Sequence, residues 1–268
     1  MIVFPPCKIN IGLYITAKRP DGYHAISSLF YPIQLCDALE VVPSDGPKGS
    51  YAFTSSGLPI PGDSSSNLVI KAYELLHQHY SLPAVSIHLH KKIPMGAGLG
   101  GGSSDGAWML RLLNDLFELN CSKETLCAFA AQLGSDCPFF IYDGPCAVSG
   151  RGEVLEDSPL DLSNYHFWIV NPGIHVSTRD AFASVPIQSA PEYWMNDVQH
   201  PPQHWKMINA FEAGVSIKFP EIACVKQQLI NEGALYAAMT GSGSSVFGIF
   251  EKTPAIEGKF PGYLSVLV

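Results

Sequence analysis

The chain has 268 residues, 47% of them hydrophobic and 15% charged, enough apolar material for one large core or two modest ones and too much for wholesale disorder. A net charge of −8 argues against a broad nucleic-acid surface, although it leaves room for a local basic pocket. Seven cysteines without a C-x-x-C pair read as reduced thiols of a cytoplasmic protein, and neither a leader peptide nor a membrane-length apolar run is expected.

Ile9, Ile11, Leu13 and Ile15 recur at every second position, so residues 8–15 are expected to form a strand whose other face carries Lys8, Asn10, Gly12 and Tyr14. A lone lysine on a strand is as readily a solvated residue as a functional one. Pro20 and Asp21-Gly22 signal a turn, and residues 23–31 return as a second strand with Tyr23 and His24 at the mouth of the hairpin. Taken singly, these two are an edge aromatic and a solvated imidazole. Residues 51–53 form a short strand and 59–66 a loop, after which Ser66 or Asn67 caps a helix that turns Leu68, Val69, Ala72, Leu75 and Leu76 inward. His77, His79, His88 and His90 have no Cys, Asp or further His at ligand spacing, so they read as solvated surface rather than a metal site.

Val85, Ile87 and Leu89 alternate with polar residues as a half-buried strand does. Pro94-Met95-Gly96-Ala97-Gly98-Leu99-Gly100-Gly101-Gly102-Ser103-Ser104-Asp105-Gly106 follows, and apolar residues from Ala107 to Leu116 then fit a helix buried on most of its circumference. Ser103 or Ser104 is placed to cap that helix. Five glycines within residues 96–102 bring bare amides close to a partner, and the first turn of a helix favours an anion. The arrangement suits a phosphate chain, with the two hydroxyls as further donors. A Walker loop fails for want of a lysine before Ser103. The dinucleotide fingerprint Gly96-x-Gly98-x-x-Gly101 lacks its acidic residue, because the required distance lands at Leu119-Asn120-Cys121. Gly102-x-Ser104-x-Gly106 matches a hydrolase nucleophile elbow and keeps a serine hydrolase open, with Ser104, His175 and Asp136 as its triad.

Ser122 caps the next helix, which has Glu124 in its first turn and runs to about Leu133. Asp136, two residues before Pro138, is a natural cap for a new turn. Glycines at 144, 150 and 152 cut the following segment into short strands, and a domain boundary is expected near residue 158, giving domains 1–158 and 159–268. Residues 165–170 form a strand, and 176–182 begin a helix in which Phe182 is a packing aromatic by default. Residues 186–205 are Pro- and Trp-rich and irregular. Residues 222–231 are helical, 235–239 a strand, and Thr240-Gly241-Ser242-Gly243-Ser244-Ser245 a long turn into the strand 246–250. Any terminal helix beyond it is expected to be short or distorted.

Lys8-Ile9-Asn10-Ile11, Arg19-Pro20-Asp21-Gly22-Tyr23-His24, the glycine stretch, Gly134-Ser135-Asp136-Cys137-Pro138-Phe139-Phe140 and the turn at 240–245 together resemble the motifs of the GHMP kinases, named for galacto-, homoserine, mevalonate and phosphomevalonate kinases. The resemblance spans nearly the whole chain and implies an α+β fold of two domains, ribosomal protein S5 domain 2-like and then ferredoxin-like, with the active site in the cleft between them. It implies ATP and Mg²⁺ as cofactors and names no protein ligand for the metal. Pro94, Met95, Gly96, Ala97, Gly98, Leu99, Gly100, Gly101, Gly102, Ser103 and Ser104 would hold the nucleotide, with Asn67 near it or simply capping its helix. In the family the Asp of the Gly-x-Asp segment is the acid/base beside the first-strand Lys, which makes Asp136 and Lys8 the catalytic pair. The hairpin resembles the branch whose acceptor is 4-diphosphocytidyl-2-C-methyl-D-erythritol, phosphorylated on its 2-hydroxyl in the non-mevalonate isoprenoid pathway. Tyr23, His24 and Phe182 would then read the cytosine, while Asn10, Thr240, Gly241, Ser242 and Gly243 line the rest of the substrate. Ser66, Cys137 and Ala210 depart from residues common in the family at those places. The implied partner is that small molecule, without nucleic acid or membrane, for a monomer or weak homodimer. Another small-alcohol kinase of the family and a nucleotide-binding module without turnover stay open beside it.

Overall fold

The computed structural model describes residues 1–142, 144–185, 187, 190–191 and 194–268, with 183 and 184 described by their backbone alone. In chain order the elements are β1 (Ile2–Val3), β2 (Pro6–Lys18), β3 (His24–Cys36), β4 (Ala38–Pro43), β5 (Tyr51–Gly57), α1 (Leu68–Tyr80), β6 (Val85–Lys91), α2 (Gly101–Leu116) and α3 (Lys123–Leu133). There follow β7 (Cys146–Ser149), β8 (Val154–Asp157), β9 (His166–Asn171), α4 (Thr178–Ser184), α5 (Glu212–Lys218), α6 (Pro220–Asn231), β10 (Tyr236–Met239), β11 (Val246–Phe250) and β12 (Leu264–Leu267). The mixture is the α+β class expected. Two compact units interleave along the sequence: Met1–Cys7, Ile33–Met95 and Gly100–Asp143 make the first, and Lys8–Pro32, Gly96–Leu99 and Gly144–Val268 the second.

In the first unit β1-β4-β6-β5 form a sheet, antiparallel except for the parallel pair β5 and β6. α1, α2 and α3 pack on one another. Asn67 caps α1 by accepting the Val69 N–H at 2.9 Å, and the buried stripe is Val69, Ile70, Ala72, Tyr73 and Leu76. Leu68 and Leu75, expected inward, are only half-buried, so the stripe is rotated toward Ile70 and Tyr73. Ser122 caps α3 through Thr125 N, as its position suggested.

In the second unit β10-β11-β9-β12 form an antiparallel sheet against which α6 packs. β12 occupies the place where a short or distorted terminal helix was expected. Its four residues pair with β9, and long-range pairing of that kind leaves no local signal in so short a run. β2 and β3 reach 13 residues each, well past the alternating segments that announced them, and belong to the sheet β2-β3-β7-β8. The irregular segment expected at 186–205 holds 3₁₀ turns at Trp194–Gln199 and Pro202–His204. Pro186, Gln188, Ser189, Glu192 and Tyr193 of that segment lie outside the described residues.

The alternation of β6 continues one step past Leu89 and puts Lys91 on the buried face. A buried ammonium must be paired. Its Nζ bonds Asp37 and, at 2.7 Å, Asp105 in the early turns of α2, and all three side chains are nearly fully buried. Asp37 also accepts the backbone N–H groups of Lys92 and Ile93. One ammonium cannot neutralise two buried carboxylates. Burial pushes the Asp105 carboxyl up to about 7, with the Lys91 charge pulling it down and the Asp37 charge pushing it further up.

Lys91→Met strands two acids in the core and is expected to cost about 3–5 kcal/mol in urea denaturation. The folded chain also holds a proton on Asp105 that the unfolded chain, with the ordinary value of 3.8, has released. Stability from this group is therefore full below about pH 4 and drains away as pH rises toward 7. Asp105→Asn removes that titration, so its stability relative to the unsubstituted chain rises between about pH 4 and about pH 7. A difference that stays constant would place the proton elsewhere.

Candidate active site

The glycine stretch works as expected in one respect and differently in another. Gly96, Gly98 and Gly100 take φ of 65°, 78° and 70°, a region that side chains disfavour. A Cβ on Gly98 would lie 2.0 Å from Thr240 O, so no other residue fits there. The cap of α2 is Gly100 and not Ser103 or Ser104, because its left-handed turn lets the helix begin at Gly101. Both serines therefore lie in the opening turns, where Ser104 N donates to Gly100 O at 2.9 Å. Without a side-chain cap, the first amides of α2 have no partner inside the helix. Pro94 is half-buried, Met95 exposed, and Ala97, Leu99 and Gly101 buried, while Gly102 and Ser103 are half-buried. Ser104 is fully buried and its hydroxyl has no hydrogen-bond partner. That removes the hydrolase reading, since a nucleophile elbow exposes its serine beside a base.

In the second unit the two glycine turns touch each other directly. Thr240 Oγ1 reaches Gly98 O at 3.1 Å, Ser245 N donates to Ala97 O at 3.2 Å, and a Cβ on Gly241 would lie 2.8 Å from Gly98 Cα. Asn10 sits under both. Its Oδ1 accepts the Lys8 ammonium at 2.6 Å and Gly241 N at 2.9 Å, and its Nδ2 donates to Ser28 Oγ at 3.0 Å. Asn10 N donates to Thr240 Oγ1 at 3.0 Å. Lys8 is 3% exposed, with its Nζ 4.2 Å from the Phe30 ring centroid, so the solvated alternative for it is gone. Lys8 N also holds the end of the glycine loop, donating to Leu99 O at 2.9 Å.

Sequence reasoning gave Asn209 and Glu212 no role. The Asn209 Nδ2 donates to Met239 O at 2.7 Å and Gly241 O at 2.8 Å, bracketing Thr240, while Glu212 accepts Met239 N at 3.0 Å and pairs with Lys226. The Asn-Ala-Phe-Glu run was the available signal. Ser242 shares a hydrogen bond with Thr178 at 3.0 Å, Thr240 is fully buried, and Gly243 N donates to Thr240 O.

Asp136 occupies the cap position of the turn Cys137–Ile141 in the first unit, yet its carboxylate makes no capping bond. The ordinary reading of it as a cap therefore fails. Burial pushes the neighbouring Cys137 thiol up to about 12, so this residue behaves as a small apolar group. Asn67 spends its side-chain oxygen as a cap, and Ser66 donates to Asp63 O instead. In the second unit the His24 and Phe182 rings stack on each other at 4.9 Å and 20°, and Phe182 meets Phe211 edge-on at 4.8 Å. Tyr23 is 56% exposed. His88 and His90 share bonds to Ser56, and no group of three or more metal-binding side chains occurs among the described residues.

Comparison with known proteins fits this geometry. The family model for the GHMP kinases N terminal domain matches residues 67–144, and the one for GHMP kinases C terminal matches 202–259. The chain is 48% identical over 255 residues to a 4-diphosphocytidyl-2-C-methyl-D-erythritol kinase of Azobacteroides pseudotrichonymphae, covering 94% of each chain. It is 47% identical to the kinase of the same description from Bacteroides thetaiotaomicron, covering 97% of this chain and 94% of that one. A crystal structure of 4-(cytidine 5'-diphospho)-2C-methyl-D-erythritol kinase superposes with a TM-score of 0.78 at 32% identity, over 93% of this chain and 90% of the other. The chain belongs to the GHMP kinases and, among them, to the 4-diphosphocytidyl-2-C-methyl-D-erythritol kinase family.

Proposed function

We propose that the chain transfers the γ-phosphoryl group of ATP to the 2-hydroxyl of 4-diphosphocytidyl-2-C-methyl-D-erythritol, in the non-mevalonate isoprenoid pathway. The substrate is the one its relatives are named for. The observation that carries the chemistry is the buried Lys8 ammonium held on Asn10, in the unit where residues 96–99 meet the turn at 240–243. The functional domains are read as 1–158 and 159–268, a division supported by the two family models falling on either side of it.

Phosphoryl transfer asks mainly for positioning and charge neutralisation. The uncapped start of α2 and the positive-φ glycines suit the ATP phosphates, with Pro94 to Ser104 as the nucleotide loop and Asn67 at its margin. A Mg²⁺ ion bound with the ATP phosphates would neutralise their charge. Asp136, its carboxylate not used in capping, accepts the proton of the acceptor hydroxyl as the phosphoryl group arrives. Lys8 orients that hydroxyl and offsets the negative charge being transferred. Asn10 acts through Lys8 and Gly241, because its amide is engaged inside the protein. Tyr23, His24 and Phe182 receive the cytosine, and Thr240, Gly241, Ser242 and Gly243 shape the remainder of the site. We place the enzyme in the cytoplasm as a monomer or weak homodimer that binds neither nucleic acid nor membrane. Its net charge of −8 supports the first of these exclusions, and no helix among the described residues is long and apolar enough to cross a membrane.

ADP release with ATP, Mg²⁺ and the cytidine substrate tests the assignment. Asp136→Ala and Lys8→Ala are each expected to lower kcat by about 10²–10⁴ while calorimetry still detects ATP binding. Turnover that survives in Asp136→Ala would remove it as the base. The stacked His24 and Phe182 rings must part before a base can lie between them. Phe182→Ala is accordingly expected to cost about 1–3 kcal/mol of substrate affinity with the KM for ATP unchanged. An unaltered substrate KM would put the cytosine elsewhere.

A further inference from the structure

The tip of the β2–β3 hairpin carries a charged frame that the reaction itself does not use. Arg19 Nε bonds Asp21 at 3.0 Å, and Asp21 in turn accepts Tyr23 N at 3.1 Å, which fixes the backbone of that tyrosine. The same bond with Arg19 holds the Asp21 carboxyl below the usual range, so the tie persists at neutral pH. Arg151, in the turn between β7 and β8, lies with its guanidinium carbon 5.1 Å from the centre of the Tyr23 ring. That turn is fastened from two sides. Ile26 N donates to Gly150 O at 2.8 Å, and Glu153 accepts Arg151 N while facing Arg151 Nε at 3.6 Å.

We infer that Arg151 is a positioning residue for substrate binding: its guanidinium backs the Tyr23 ring and presents the opposite face as a platform for the cytosine. The inference rests on the proposed role of Tyr23 in receiving that base. An exposed tyrosine loses rotamer freedom when a ligand stacks on it, and a ring already held by a planar cation loses less. Lysine supplies the charge without the flat, delocalised group, so it substitutes incompletely. The charged groups facing Arg151 and Tyr23 in this frame are Arg19, Asp21 and Glu153, two of each sign when Arg151 is counted, which leaves the frame neutral. Its contribution is therefore one of geometry more than of attraction for a diphosphate.

The test compares Arg151→Met, Arg151→Lys and Tyr23→Ala in steady-state kinetics with the cytidine substrate, alongside the thermal midpoint of each. Arg151→Met is expected to raise the substrate KM about threefold to tenfold, leaving kcat and the KM for ATP in place. Arg151→Lys should recover part of that loss, and Tyr23→Ala should do less harm in the Arg151→Met background than alone. A substrate KM unmoved in Arg151→Met while Tyr23→Ala raises it would overturn the inference and leave the Tyr23 reading standing. If Tyr23→Ala is itself without effect, the platform is misassigned and the inference falls with it. A drop in thermal midpoint that takes both KM values and kcat with it would mark Arg151 as merely structural.

Discussion

Asn10 Oδ1 accepts the Lys8 ammonium at 2.6 Å and Gly241 N at 2.9 Å, while Thr240 Oγ1, 3.2 Å away, bridges to Gly98 O. Most of the proposed chemistry depends on this one carboxamide. At 2% exposure its polar atoms must find partners inside the protein, since each one left unmade costs about 1–3 kcal/mol. Because the amide is neutral, it can accept from an ammonium on one side and donate to Ser28 on the other. Ser28 Oγ in turn donates to Gly12 O at 2.7 Å, so the network closes on β2, where it began. The Asn209 side chain fixes the same turn through Met239 O and Gly241 O. The turn at Thr240 is thus held by side chains that both come earlier in the chain, Asn10 by 230 residues and Asn209 by 30 and 32.

A second constraint acts on the stems of the glycine stretch within the first unit. Lys91, before the loop, and Asp105, after it, meet in a buried ion pair, and Asp37 binds the residues that lead into the loop. A loop rich in glycine has much conformational entropy to lose, and closing its stems limits what remains. The burial that makes this clamp strong also leaves one carboxylate short of a partner charge. Rigid stems and a tuned acid come from the same three residues.

Much of this was legible in the sequence where short-range physics decides. The period of two in β2 and β6, the caps at Asn67 and Ser122, and the glycine loop feeding α2 all follow from local rules. At Gly100 two local rules conflicted. Serine is the better cap, but only glycine readily takes the left-handed turn, and the turn won. Position 91 is buried because it continues the parity of Val85, Ile87 and Leu89, yet its partners lie 54 and 14 residues away and carry no local mark. The bracketing by Asn209 and the strand β12 are long-range for the same reason. The stacking of His24 on Phe182 joins residues that only the family resemblance had assigned to one ligand, and nothing local in the sequence showed that they would cover each other.

The account claims that Asn10 serves the reaction by holding Lys8 and the turn at Gly241, and a double-mutant cycle on kcat tests that most directly. Asn10→Ala, Lys8→Ala and the double variant would be compared in ADP release with ATP, Mg²⁺ and the cytidine substrate, after circular dichroism has established that each is folded. If Asn10 acts through Lys8, the double variant loses little more than Lys8→Ala alone. Losses that simply multiply would show that the two residues act independently and would contradict the account.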